Sequence, residues 1–179
     1  VYGLGNGGVE NVIYNYFSRL NKDNEYELSI VTQDKPNEDI KNKFKKIGFN
    51  IYELPEKKKN VFVYVSKMKR ILKSEKPDIV HCHMTMGNFL PNCIAFFCGI
   101  KVRISHSHFA YAKEDLKSFV YKECGKVFAN RYMACTEEAA HYLFGKNIAQ
   151  VYILKNAINL KRFHFNENVR NTVRKELDL

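Results

Sequence analysis

Residues 3–10 read GLGNGGVE, a glycine-dense turn that runs directly into a helical pattern. Residues 1–2 are typical of the end of a strand, and apolar residues recur at helical spacing from Val9 to Leu20. A strand, a glycine turn and a helix in this order direct backbone N–H groups and a helix N-terminus to one point. The stretch therefore predicts a binding site for an anion such as phosphate.

Strand and helix patterns alternate along the remainder of the chain and are joined by short loops. Strands are expected at residues 26–32, 50–54, 77–83, 101–105, 131–135 and 151–154. Helices are expected between them, including a basic amphipathic helix at 61–76. The alternation predicts an α/β fold, a Rossmann-like doubly wound, mainly parallel sheet with helices on both faces.

The net charge of +10 and the pI near 9.3 favour an anionic partner, which is nucleic acid, acidic lipid or a phosphorylated small molecule. We expect no nucleic acid, because the aromatic residues stand at core-like positions and a covered parallel sheet offers no open platform. No run of about eighteen apolar residues occurs, so no membrane-spanning helix is expected. The five cysteines form no C-x-x-C pair, which indicates reduced thiols and a cytoplasmic location.

The basic helix at 61–76 has two interpretations. In the favoured one, it packs on the sheet and its charged face is solvated. In the other, it rests on an anionic membrane surface.

Polar residues from distant parts of the sequence fall at the carboxyl ends of the expected strands, where open α/β sheets bind ligands. They are the glycine turn, the pairs His81/His83 and His106/His108, Thr136 and Asn156. Thr136 is explained as a helix N-cap. For His106 or His108 we favour a polar contact in a crevice, because an imidazole donates to a hydroxyl or to a developing charge.

The two H-x-H pairs also suggest a metal site, since residues i and i+2 of a strand point to the same side. Neither pair contains a carboxylate, so we disfavour a metal. For His81 and His83 we favour histidines whose hydrogen bonds are satisfied within the fold over a functional role.

Gly3, Gly5 and Gly8 satisfy the pattern G-x-G-x-x-G, and Asp34 follows the next expected strand, where a ribose-binding acid would sit. This alternative makes the chain the NAD-binding domain of an oxidoreductase. Glu10 argues against it, because a carboxylate in the first helical turn repels a pyrophosphate docked there. A simpler interpretation is a sharp turn that needs positive φ at glycine.

Several segments together resemble the N-terminal domain of a family 4 retaining glycosyltransferase of the GT-B architecture. They are GGVE at 7–10, PDIVHCH at 77–83, RISHSH at 103–108 and ILKNAINLKRF at 153–163. Their order and spacing carry the resemblance across essentially the whole chain, and the third segment resembles polysaccharide-building members. Lys155, Ala157 and Asn159 depart from the proline, glycine and aspartate of the usual fourth segment, and Phe109 stands where such relatives often have asparagine.

The resemblance implies a Rossmann-like N-terminal domain at 1–165 and, at 166–179, the start of a linker or helix toward a C-terminal donor-binding domain. It implies a nucleotide-sugar donor, a saccharide or lipid-linked acceptor in cell-surface polysaccharide synthesis, and no cofactor or obligatory metal. It also implies a cytoplasmic protein, with peripheral contact at the inner face of the cell membrane as a further candidate interaction.

Carried over by residue, the resemblance places Gly7 and Gly8 against the donor phosphate or the acceptor, and Asn156 at the edge between domains. It makes His108 the catalytic candidate that faces the reacting sugar, with His106 as the alternative. The chain alone is expected not to transfer sugar. A sugar- or phosphate-binding module without activity also remains open.

Overall fold

The computed structural model describes residues 1–23, 25–33, 35–56, 59–110, 115–145 and 150–179, and it has an α/β fold. The strands are β1 Leu28–Thr32, β2 Phe49–Glu53, β3 Ile79–Cys82, β4 Val102–Ser107, β5 Arg131–Ala134 and β6 Val151–Ile153. The helices are α1 Gly8–Leu20, α2 Glu38–Lys45, α3 Val61–Glu75, α4 Phe89–Phe97, α5 Leu116–Phe128, α6 Glu137–Phe144 and α7 Glu167–Glu176. The predicted alternation of strands and helices is confirmed.

The strands are parallel, as predicted, but they form two hydrogen-bonded groups instead of one continuous ladder. β1 pairs with β2, and β3, β4, β5 and β6 follow one another in a second sheet. The strand expected at residues 1–2 is only a short extended contact beside β1. There the Val1 nitrogen lies 3.0 Å from the Val31 carbonyl oxygen, and the Gln33 amide donates to the Tyr2 carbonyl at 3.0 Å. The glycine turn therefore leaves the sheet at the same edge as the end of β1.

The two larger apolar clusters among the described residues hold helices on the strands. One contains Leu54, Tyr64, Met68, Leu72, Val80, Cys82, Ile94, Ala95 and Ile100. The other contains Leu4, Ile13, Leu28, Ile30, Phe44 and Phe49. Each large side chain buried in this way stabilises the fold by about 1.5–3 kcal/mol relative to exposure. Val31 packs against the first cluster although it belongs to β1, so the two strand groups share a core.

Helix α3 buries its apolar face in that core through Tyr64, Met68 and Leu72, while Lys67 and Arg70 are exposed. The interpretation of a helix packed on the sheet with a solvated basic face is confirmed. Its first turn is an exception, because Phe62 is 84% exposed.

The predicted end signals of α6 are also observed. The Thr136 hydroxyl accepts the Ala139 amide at 3.2 Å, and Gly145 ends the helix with φ +77°. Across the described ranges, no helix combines the length and the apolar character needed to cross a bilayer. All five cysteines are free thiols.

Candidate functional site

Four imidazoles meet where β3 and β4 end. His81 pairs with Ile104 in the parallel register, which sets His83 level with His106 two residues further on. His81 Nε2 lies 3.1 Å from His106 Nδ1, and His83 Nδ1 lies 2.8 Å from His108 Nε2. His81 and His83 therefore find hydrogen-bond partners in the imidazole of His106 on β4 and in that of His108, which follows β4.

The rings also stack on one another. The centroids of His106 and His108 are 4.0 Å apart, as are those of His81 and His83. His106 is fully buried, and its Nε2 has no hydrogen-bond partner among the described residues. His108 is only partly buried, so it is the more accessible of the two catalytic candidates.

Burial lowers the pKa of every imidazole in this cluster, because the charged form is poorly solvated there. The pKa of His108 falls to about 4 through burial, and that of His81 falls to about 4 through burial and then through His108. Burial and the neighbouring imidazoles also hold the pKa of His83 and His106 well below the usual range. The rings are therefore neutral at neutral pH, each with one N–H donor and one lone pair.

A buried amide fixes the backbone around this histidine cluster. Asn88 Oδ1 accepts the Met84 amide at 2.6 Å, and Asn88 Nδ2 donates to Ser105 Oγ at 2.9 Å and to the His106 carbonyl at 3.1 Å. It thus joins the loop after β3 to the end of β4. Sequence reasoning missed Asn88, and its only signal was an amide inside an apolar segment.

Arg103, the first residue of the RISHSH segment, ties β4 to the neighbouring helices. Its Nε donates to the Phe128 carbonyl at 2.6 Å, its Nη1 donates to the Ile100 carbonyl at 2.5 Å, and its guanidinium lies 5.2 Å from the centre of the Phe96 ring. These contacts join the start of β4 to the end of α5 and to α4. Arg103 supports the strand that carries His106 and His108.

The glycine turn forms the N-terminus of α1, with Gly7 as N-cap and Gly8 as first helical residue. The described glycines with positive φ are Gly48, Gly99 and Gly145, so the opening turn does not depend on positive φ. A methyl group built on Gly8 meets no other part of the described chain within 4 Å. One built on Gly7 collides with the Glu10 carboxylate, so Glu10 folds back toward the anion-binding end of the helix. Asp34, the acid of the dinucleotide alternative, lies outside the described residues.

Asn156 is exposed and lies in the segment that follows β6. Two side chains of α1 bond to this segment. Asn15 Nδ2 donates to the Ala157 carbonyl at 2.8 Å, and the Tyr16 hydroxyl donates to the Lys155 carbonyl at 2.6 Å. The ends of β1 and β3 also meet, since Gln33 Nε2 donates to Met84 Sδ at 3.1 Å. The glycine turn, the histidine cluster and the segment at 155–157 therefore share the carboxyl edge of the strands, as predicted.

Two surface clefts among the described residues lie at the starts of β1 and β2 and around Gly48, at the opposite edge of the first sheet. Neither includes a histidine.

A family model and a curated relative agree on the kind of protein that this chain resembles. The family model for Glycosyltransferase Family 4 matches residues 6–162. The Bacillus subtilis (strain 168) protein EpsF, whose name assigns it provisionally to the glycosyltransferases, is 24% identical over 173 residues. That match covers 90% of this chain and 44% of EpsF, so the chain spans less than half the length of this relative.

Solved structures share the fold. The Anabaena HepE structure, in complex with UDP and glucose, has a TM-score of 0.73 at 12% identity, and the match covers 98% of this chain and 50% of HepE. The Neisseria meningitidis UDP-GlcNAc 2-epimerase bound to UDP-GlcNAc has a TM-score of 0.63 at 14% identity, covering 98% of this chain and 52% of the epimerase. At such identities the likeness shows the fold alone.

Proposed function

The chain belongs to glycosyltransferase family 4, and from that premise we propose that it is the acceptor-side domain of a retaining glycosyltransferase of GT-B architecture. The whole protein would transfer a sugar from a nucleotide-sugar donor to a saccharide or lipid-linked acceptor in cell-surface polysaccharide synthesis. The observation that carries the proposal is that the histidine cluster and the segment at 155–157 follow the carboxyl ends of parallel strands, on the side of the sheets where the glycine turn lies beside the end of β1. The UDP compounds bound to the HepE and epimerase structures make UDP-sugars the first donors to screen.

A second, donor-binding domain is part of this proposal. Every residue from 158 to 179 is exposed, and α7 presents Val169, Val173 and Leu177 at helical spacing without burying them. An amphipathic helix gains most of its stability by packing its apolar stripe, so this segment is suited to cover another part of the protein. The chain alone is expected to show no transfer. A robust transfer rate from residues 1–179 would contradict the two-domain proposal.

The proposed transfer breaks the bond between the anomeric carbon and the diphosphate oxygen, and forms a bond from that carbon to an acceptor hydroxyl oxygen, whose proton passes to the departing diphosphate. The departing diphosphate gains negative charge, which backbone N–H groups at the start of α1 stabilise. No metal is required for this role. A ligand phosphate would displace the Glu10 carboxylate, which lies against Gly7.

Gly8 allows a sharp test of ligand approach, because a methyl group there meets no other part of the described chain. Gly8→Ala should lower kcat/KM of the full-length protein by more than about tenfold without destabilising it. Gly5→Ala is the matched control, since its added methyl group is equally unopposed. In the dinucleotide alternative Gly5 is the residue that lets the backbone approach the pyrophosphate. NAD binding that Gly5→Ala abolishes would therefore replace the transferase proposal.

His108 is the proposed catalytic residue, because it is less buried than His106 and contacts His83 through Nε2. His106, behind it, is the alternative. In the full-length protein, His108→Ala should lower kcat by about 10²–10⁴-fold. His141→Ala, which changes a histidine outside the cluster, is the control. Full activity of His108→Ala would remove this assignment.

A membrane surface is the remaining proposed partner. The support is the exposed Phe62 in the first turn of α3 together with the exposed Lys67 and Arg70 on the same helix. Phe62→Ser should weaken binding to phosphatidylglycerol vesicles at low salt, whereas Phe165→Ser should not. Equal binding by both variants would remove α3 as the contact.

A further inference from the structure

The histidine cluster has the ligand set of a metal site. His81, His83 and His106 each offer one nitrogen, and these nitrogens all lie within 4.8 Å of one another. His81 lies on β3 and His106 on β4, two hydrogen-bonded parallel strands, and His83 follows β3 by one residue. The backbone of the paired strands therefore fixes the spacing of His81 and His106.

One buried nitrogen of the cluster lacks a partner within the described ranges and suits a metal. Neutral imidazoles present lone pairs, and His106 keeps one nitrogen, Nε2, buried without a hydrogen-bond partner in the described structure. Burying a polar nitrogen without a partner costs about 1–3 kcal/mol. A cation bound to that nitrogen offsets the cost. Three imidazoles with a fourth open position is a ligand set that zinc accepts.

The geometry is close to what zinc needs. Zinc–nitrogen bonds of about 2.0–2.1 Å place two tetrahedral ligand nitrogens about 3.4 Å apart. The candidate nitrogens of His81, His83 and His106 lie within 4.8 Å of one another, and rotation of the rings closes the remaining separation. His108 Nε2 lies 2.8 Å from His83 Nδ1.

We propose that His81, His83 and His106 bind one zinc ion, and that this ion inhibits the protein. The inhibition rests on the proposed function, because zinc would hold the imidazoles beside His108 and occupy the space that a reacting sugar needs. The zinc site itself does not depend on that function. It is compatible with a transfer reaction that needs no metal.

The binding test uses the 179-residue chain after removal of metal with a chelator. Titration calorimetry with zinc chloride should give one site per chain. His83→Gln and His81→Gln should weaken the affinity by at least about tenfold, the effect expected from loss of one ligand. His141→Gln and His164→Gln are matched controls outside the cluster and should leave the affinity unchanged. Circular dichroism checks that every variant remains folded.

Cobalt distinguishes this site from the free cysteines. The cobalt-loaded chain should show the absorption of a nitrogen-ligated ion, without the thiolate charge-transfer band that a cysteine ligand produces. A thiolate band, absence of stoichiometric binding, or binding unchanged in His83→Gln would each overturn the zinc site.

Inhibition is tested separately on the full-length protein. Micromolar zinc should abolish sugar transfer, EDTA should restore it, and His81→Gln should need at least about tenfold more zinc for the same loss. Zinc binding with undiminished transfer would overturn the inhibitory role alone. Zinc binding to a full-length protein that transfers no sugar in zinc-free buffer would instead contradict the proposed function and leave the zinc site intact.

Discussion

At the scale of single residues, the site depends on a buried amide that the sequence pattern does not single out. Asn88 is 1% exposed and bonds the Met84 amide and the His106 carbonyl. Asn88→Ala leaves both groups buried without a partner, and each costs about 1–3 kcal/mol. We expect the free energy of unfolding, measured in urea, to fall by more than about 2 kcal/mol.

The matched control for Asn88 is Asn42, an exposed residue of α2. Asn42→Ala should change the same free energy by less than about 0.5 kcal/mol. An equal effect of the two substitutions would show that the buried amide contributes nothing special.

The buried imidazoles predict a fold that loses stability in mild acid. The pKa of His81 and His108 is about 4 in the folded chain, whereas unfolded histidines titrate near 6.5. Between these values the unfolded state binds more protons, so the free energy of unfolding falls as the pH falls from about 6.5 toward 4. In buffer with a chelator we expect a loss of more than about 1 kcal/mol over that window.

Unfolding in urea at several pH values measures this loss. His141→Gln should retain the acid sensitivity, because His141 lies outside the cluster. His108→Gln should show a shallower slope with pH. A wild-type free energy that stays flat from pH 6.5 to 4 would contradict the burial of neutral imidazoles.

At the scale of elements, β4 carries His106, ends one residue before His108, and pairs with both β3 and β5. Arg103 bonds the carbonyls of Ile100 and Phe128 at its start. Lysine cannot reproduce this planar fork of donors. Arg103→Lys should therefore lower the free energy of unfolding by about 1–3 kcal/mol.

Arg131→Lys is the control for this substitution, because Arg131 bonds a single carbonyl, that of Asn130, and is exposed. It should unfold at nearly the wild-type urea concentration. If both lysine variants behave alike, the bonds of Arg103 do not stabilise β4.

The elements were largely predictable, because hydrophobic period and end signals are local properties of the sequence. Thr136 and Gly145 marked α6, and the apolar spacing of α3 marked its buried face. A 3-10 turn at Thr85–Asn88, in which Thr85 has φ +50°, precedes α4 and was not predicted. That turn is held by Asn88 through contacts 17 and 18 residues away in sequence, which no local pattern contains.

The sequence predicted that the histidines lie at one edge of the sheet, but not which histidines bond to each other. The histidines were expected to lie together, because the carboxyl ends of parallel strands are at the same edge of a sheet. The bonds from His81 to His106 and from His83 to His108 depend on the register of β3 against β4, which is a tertiary property. The same holds for Glu10 against Gly7, where the sequence indicated repulsion of a ligand but not the folded-back carboxylate.

At the scale of the whole molecule, α1 connects the beginning of the chain to the segment that leaves β6. Asn15 and Tyr16 bond the carbonyls of Ala157 and Lys155. Removing both side-chain donors by Asn15→Ala with Tyr16→Phe should release this segment. We expect tryptic cleavage after Lys155 to accelerate several-fold, as read by mass spectrometry, because proteolysis follows local opening.

Tyr26→Phe is the control for the tryptic cleavage experiment, since Tyr26 is exposed and distant in sequence from the segment at 155–157. Cleavage after Lys155 should keep its wild-type rate in that variant. An unchanged rate in the double variant would show that α1 does not restrain the segment.

The uncovered stretch from 158 to 179 also decides how the isolated chain behaves in a test tube. Leu160, Phe163, Phe165, Val169 and Leu177 each expose more than half of their surface. Apolar surface of this extent attracts other copies of itself when nothing else covers it. In sedimentation experiments, the 179-residue chain should therefore form larger species as its concentration rises. The substitutions Phe163→Ser and Phe165→Ser should shift it back toward a monomer.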